Sequence, residues 1–215
     1  SFDPIHLGHL RAAEEAREAL SLDQVRFVPA ANPPHKPGRK LADGADRLEM
    51  IRLAIADQPA FAVSTVELDR GGVSYSVDTL AQLRHPPASL FFLVGVDAFR
   101  EIHLWRDAPR LFELANVVVV RRPPAPIDDS IDHLPIAARE AFCYDPGTRS
   151  HRHRSGTSLS FLPITGLDVS ATSIRTLLRE GRSIRYFVPP TVATFITERE
   201  LYAWSASSTP EGRDV

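Results

Sequence analysis

Two histidines, His6 and His9, stand three residues apart, with Gly8 between them and an Asp3-Pro4 pair just upstream. On a helix that spacing puts both imidazoles on one side of a single turn. Gly8 carries no side chain, so a bulky ligand can approach the backbone there. The unpaired N–H groups of a helix start attract anions. Two imidazoles above such an end suit a phosphoryl group that gains charge during substitution. The plainer alternative is a pair of surface or capping histidines. A zinc pair is disfavoured, because no third ligand at metal spacing lies nearby.

A second cluster lies far along the chain in "VSATSIR", which carries Ser170, Thr172, Ser173 and Arg175. Hydroxyls there cap a helix, and with free amides and a guanidinium they also make a phosphate cradle. Capping and phosphate binding both remain open on these residues alone. In "ANPPHK" the prolines stiffen a loop that holds Asn32, His35 and Lys36. Lys36 suits a phosphate and Asn32 an amide or hydroxyl, unless the stretch is an ordinary exposed loop. In "GVDAFREIHLW", Asp97 follows an apolar run and Gly95. Its carboxylate can accept ribose hydroxyls, help position a metal, or cap the next helix. Trp105 can stack on a flat heterocycle or sit partly in the core. No GxxxxGK[ST] and no strand-following GxGxxG occurs, so a P-loop and a dinucleotide redox site lack support.

The elements that must position these residues alternate. Apolar spacing predicts a helix over 7–20, with Leu7, Leu10, Ala13, Ala16 and Leu20 on one side. "QVRFVPA" reads as a strand, and "ADRLEMIRLAIAD" as a helix capped by Asp46. "FAVSTVEL" reads as a strand, and "SVDTLAQLR" as a helix starting near Ser74 or Ser76. "SLFFLVGVD" and "NVVVVRR" are apolar runs typical of strands buried on both faces, with the helix "APRLFELA" between them. "PIAAREAF" reads as helical and "SLSFLPI" as a strand. "SHRHR", 150–154, reads as a solvated loop rather than a metal tract. The helix from Ser170 stops at Gly181, and "PPTVATFITERELY" makes a last helix. Strand–helix alternation predicts an α/β fold with a doubly wound, mostly parallel sheet. Ligands in such sheets bind at the carboxyl ends of strands. The loops to inspect are therefore 29–39, 67–75, 95–105 and 164–173.

Bulk properties narrow the function classes. The chain has 215 residues, 43% of them hydrophobic, and a net charge of −2. One domain over 1–204 is expected, with a small C-terminal helical part at about 170–203 and a frayed tail over 205–215. The absence of a basic excess argues against a nucleic-acid binder, including one using the loop from Arg149 to Arg154. The single cysteine, Cys143, forbids an intrachain disulfide and fits a reducing cytosol. No apolar run approaches the ~20 residues that span a bilayer, so no membrane partner is expected.

Several of these signals occur in one order, each after a strand. "SFDPIHLGHL" resembles the [ST]FDPxHxGH signature of the nucleotidyltransferase superfamily, and "VSATSIR" resembles its ISxTxIR signature. With "NPPHK", "SYSVDTL", "GVDAFREIHLW" and "GRSIRYFVPPTVATFI", the chain resembles the bacterial nicotinate-nucleotide adenylyltransferase family from Ser1 to about Tyr202. The resemblance implies a Rossmann-like nucleotidyltransferase fold. It implies transfer of the adenylyl group of ATP to nicotinate mononucleotide, giving deamido-NAD and pyrophosphate in the cytoplasm. Catalytic roles fall on His6, His9 and Arg175. ATP and its phosphates would meet Ser1, Phe2, His6, Gly8, His9, Gly95, Asp97, Ser170, Thr172, Ser173 and Arg175. The acceptor would meet Asn32, His35, Lys36, Tyr75, Ser76 and Trp105. Mg2+ would be bound mainly through ATP phosphates, with no dedicated protein metal site. Self-association into a homo-oligomer is compatible with all of this.

Two departures accompany the resemblance. Ser74-Tyr75-Ser76 replaces the family's usual SYT and keeps the hydroxyl. Relatives also carry a strand ending in a glycine pair just before the [ST]FDP, and none precedes Ser1. The first strand is therefore expected to be missing from this chain, with a slot in the sheet beside its neighbours. The competing readings are an adenylyltransferase acting on phosphopantetheine and a non-catalytic nucleotide-binding module.

Overall fold

The computed structural model describes residues 2–34, 41–83, 85–122 and 130–202. Helix α1, Leu7–Ala19, turns Ala13 and Ala16 into the core and keeps Arg11–Glu15 and Arg17–Glu14 pairs outside. Strand β1, Val25–Phe27, is shorter than the apolar run suggests. Helix α2, Gly44–Ile55, is capped by Asp43, whose carboxylate accepts from the Ala45 amide at 2.9 Å. Asp46, expected as the cap, lies in the first turn instead and pairs with Arg199 at 3.1 Å. The expected strand over 61–68 is two elements: strand β2, Phe61–Val63, and helix α3, Val66–Arg70. The ladder ends where the Ser64 amide bonds Phe27 O, and acidic Glu67 and Asp69 then favour a helix start.

Helix α4, Ser76–Leu83, leads to strand β3, Phe91–Gly95, and helix α5, Val96–Arg100. Helix α6, Ala108–Leu114, leads to strand β4, Asn116–Arg121. A short helix α7, Ile136–Arg139, precedes β5, Phe142–Asp145, β6, Ser150–His153, and β7, Ser158–Pro163. Helix α8, Ala171–Arg179, and helix α9, Pro190–Glu198, complete the fold. Gly181 follows α8 with φ +66°, as a helix stop requires. Helix α9 ends before Tyr202 because Glu200 and Tyr202 take left-handed backbone, turning the chain back.

The "SHRHR" stretch is strand β6, not a solvated loop. It pairs antiparallel with β5 and β7, and Ser150 and His153 are buried. Its polar side chains are satisfied inside: His153 Nδ1 lies 2.7 Å from Ser155 Oγ, and the ring meets Phe142 edge-on at 4.9 Å. Partnered polar groups of this kind can enter a sheet without the desolvation cost that composition alone suggests.

Strands β3, β4 and β7 run parallel in a five-stranded sheet of order β3-β4-β7-β6-β5. Strands β1 and β2 form a separate parallel pair. The described strands therefore make two sheets rather than one, and no described strand lies between β1 and β3. Two hydrophobic cores follow. One packs Phe99, Leu111, Phe112 and Leu159 around the larger sheet. The other packs Ile5, Met50, Ile51, Ile174 and Ile196 among β1, α1, α2, α8 and α9. No helix among the described residues is long and apolar enough to cross a membrane.

Candidate active site

Between the two cores opens a cavity of about 1880 Å3, lined by strand ends and by loops that follow strands. All four loops singled out in the sequence reach it.

On one side His6 caps α1 and His9 occupies its first turn. The imidazoles stack with ring centroids 3.7 Å apart, and the His6 amide donates to His9 Nδ1 at 3.3 Å. Phe2 meets the His9 ring edge-on at 5.0 Å. Gly8 lines the cavity, and its bare backbone also serves its neighbours. A Cβ there would stand 3.0 Å from Val169 Cγ1 and 3.1 Å from His6 Nδ1, so the bare backbone lets the imidazole lie against it. His6 is only 5% exposed, and its Nδ1 is buried without a hydrogen-bond partner. Burial, and then the charge of Arg122, push its pKa down to about 4. At neutral pH His6 is thus an uncharged imidazole that can donate one hydrogen bond, not a cation.

The start of α8 faces the same cavity through Ser170, Thr172 and Arg175. Ser170 and Ser173 form a reciprocal cap: Ser170 Oγ accepts from the Ser173 amide at 3.0 Å, and Ser173 Oγ accepts from the Ser170 amide at 3.1 Å. Ser173 is thereby spent on the helix end and is not among the lining residues. Arg175 is buried. Its Nη2 donates to Thr172 Oγ1 at 3.0 Å, and its Nη1 donates to the backbone oxygen of Asp3 and lies 3.5 Å from the Asp3 carboxylate. Asp3 also accepts from the Ala42 amide at 3.0 Å and from the Tyr202 hydroxyl at 2.9 Å. Arg47, nearly fully buried, donates to the carbonyls of Ala30 and Ala42. These bonds tie the first signature, the second signature, the 30–34 loop and the turn after α9 into one buried network.

The opposite side carries Tyr75, Ser76, Gly95, Asp97 and Trp105, all lining the cavity. Trp105 meets Phe92 edge-on at 6.3 Å. Asp97 projects into solvent, 3.6 Å from Arg100. Asn32 is not among the lining residues. Its backbone instead makes an isolated bridge with Val73, donates to Ser74 Oγ and accepts from the Ser74 amide at 2.9 Å. Ser1, His35 and Lys36 lie outside the described residues. Among the described residues no three His, Cys, Asp or Glu side chains gather into a metal cage.

Sequence reasoning missed Arg122, Arg106 and Asp3. Arg122 follows β4 directly, lines the cavity and donates to Val169 O at 3.5 Å. Its signal was present, since a basic residue at the carboxyl end of an apolar parallel strand stands where ligands bind. The cavity thus combines hydrogen-bond donors and guanidinium groups on one side with aromatic faces on the other. That set can hold phosphates at one end and a flat ring at the other.

The profile of the cytidylyltransferase-like family matches residues 1–177. A probable nicotinate-nucleotide adenylyltransferase of Citrifermentans bemidjiense is 48% identical over 204 residues, covering 94% of each chain. One from Syntrophotalea carbinolica is similar to the same extent. Among solved structures, the nicotinic acid mononucleotide adenylyltransferase of Plasmodium falciparum complexed with NaAD shares the fold. Its TM-score is 0.68 at 16% identity, over 94% of this chain and 93% of that one. The chain belongs to the cytidylyltransferase-like family and, within it, to the nicotinate-nucleotide adenylyltransferases.

Proposed function

We propose that this chain transfers the adenylyl group of ATP to nicotinate mononucleotide, releasing pyrophosphate and deamido-NAD. The observation that carries the reading is that His6, His9, Thr172 and Arg175 line the same cavity as Tyr75, Ser76 and Trp105. The acceptor's 5′-phosphate oxygen attacks the α-phosphorus of ATP in line. The bond from that phosphorus to the α–β bridging oxygen breaks, and pyrophosphate leaves with the electron pair. Nothing in this scheme requires a covalent enzyme intermediate.

Each group has a role set by its chemistry. His9 and neutral His6 donate hydrogen bonds to the oxygens on which charge builds. Arg122 supplies positive charge beside them. Thr172 and Arg175 hold the leaving pyrophosphate, with Arg175 exchanging its contact to Asp3 for phosphate oxygens. Trp105 stacks on the pyridine, and Tyr75 and Ser76 surround its carboxylate. Asp97, in the first turn of α5 just after β3, accepts from ribose. A divalent cation, which we take to be Mg2+, neutralises phosphate charge when bound. With no cage of protein ligands among the described residues, its oxygens would come chiefly from the triphosphate and water. We place the reaction in the cytosol, where a lone, unpaired cysteine is at home.

The test is pyrophosphate release from ATP with nicotinate mononucleotide, nicotinamide mononucleotide or phosphopantetheine as acceptor. The first should win by several-fold or more. Preference for phosphopantetheine would move the chain to another acceptor class. Silence with all three from a folded protein that binds ATP would make it a nucleotide-binding module.

A further inference from the structure

Arg106 is the one guanidinium on the Tyr75–Trp105 side of the cavity that reaches an aromatic face among the described residues. Its Cζ lies 4.7 Å from the centre of the Tyr75 ring, and the residue lines the cavity beside Trp105. Arg106 pairs with Asp78, in the first turn of α4, with Nη1 3.4 Å from Oδ2. Both side chains are well exposed, at 58% and 42%.

These facts set up a competition. An exposed ion pair of this length holds its partners weakly. A ring entering beside Trp105 and Tyr75 would bring any carboxylate it carries to the same guanidinium. Arg offers a planar fork that matches a carboxylate bidentately, and it cannot lose its proton. Asp78 opposes such a ligand in two ways: it occupies Arg106, and its own charge repels an anion at the start of α4. Nicotinamide, being neutral, offers Arg106 only an uncharged amide oxygen and suffers no charge repulsion from Asp78.

We propose that the Arg106 side chain adds to the acceptor site's preference for an acid over an amide, beside Tyr75 and Ser76, with Asp78 as its internal competitor. The inference rests on the acceptor reading above and deepens it. It predicts opposite effects from two neighbouring substitutions, which a merely structural role would not produce.

The experiment measures kcat/KM for nicotinate and nicotinamide mononucleotides in wild type, Arg106→Gln, Arg106→Lys and Asp78→Asn. Arg106→Gln should lower the acid-to-amide ratio by about tenfold or more, chiefly through KM for the acid. Arg106→Lys should recover part of the ratio, and Asp78→Asn should raise it above wild type. An unmoved ratio in both Arg106→Gln and Asp78→Asn, in a wild type that turns over the acid, overturns the inference alone. A wild type silent with both acceptors overturns the acceptor reading, and this inference with it.

Discussion

The Asp3 carboxylate and the Arg175 guanidinium lie 3.5 Å apart, both almost wholly buried, although 172 residues separate them in the chain. The pair locks the segment before the paired histidines to the start of α8. Breaking it from the Asp3 side leaves a buried guanidinium short of its counter-charge. Asp3→Ala should therefore cost about 3–5 kcal/mol in urea unfolding. Tyr202→Phe removes one hydrogen bond to the same carboxylate and should cost about 1 kcal/mol. Equal, small losses from both would mean that Asp3 is not the hub.

His9→Ala should lower kcat by about 10²-fold or more with little change in melting temperature. Loss of a single donor to developing negative charge has that effect elsewhere. The half-buried ring stacks on His6 and meets Phe2 edge-on without anchoring either core. Steady-state kinetics beside a thermal melt checks both halves.

Gly8→Ala tests positioning rather than chemistry. Its methyl would press on Val169 and on the His6 ring at about 3 Å, and the imidazole is the freer of the two to turn. Turnover should fall while ATP affinity changes little. An active Gly8→Ala enzyme would show that the stacked arrangement of the two imidazoles is dispensable.

His6 gives stability a defined pH dependence. Well above pH 6.5 it is neutral in both folded and unfolded chains, so it contributes no slope. Below that, the unfolded imidazole takes a proton that folded His6 refuses until about pH 4. Unfolding is then favoured as pH falls through this window, by up to about 3 kcal/mol at its lower end. Unfolding free energies from pH 7 to 4 should drop more steeply for wild type than for His6→Asn. Parallel curves would mean that His6 titrates normally.

Trp105→Ala should weaken acceptor binding by roughly 1–3 kcal/mol, as loss of a stacked aromatic does for nucleobases, and leave ATP binding nearly intact. Separate titrations of the two substrates distinguish this from general loosening around Phe92.

Periodicity located most elements because apolar runs such as "NVVVV" and the Ala13–Ala16 face of α1 report burial directly. It failed where local chemistry overrides pattern. Thr65 and the acids after it turned an alternating stretch into α3, and inward hydroxyls and imidazoles made β6 from a stretch that looked solvated. For the site, residue type and order brought His6, His9, Arg175, Tyr75 and Trp105 to one cavity. The details that escaped are tertiary. Nothing in "SFDP" announces that Asp3 will meet Arg175 and Tyr202. Nothing near Asn32 says that its backbone, rather than its amide, would be used. Ser173 was open to two readings, and the cap took it.

The division into two cores has a mechanical consequence. The histidines and Arg175 are carried by one packed body, and Tyr75 and Trp105 by the other. The gap that the attacking oxygen must cross is therefore a dimension of the assembly and belongs to no single loop. Rates should respond to anything that tilts one body against the other, such as a repacked Phe112 or Met50 remote from the nucleotides.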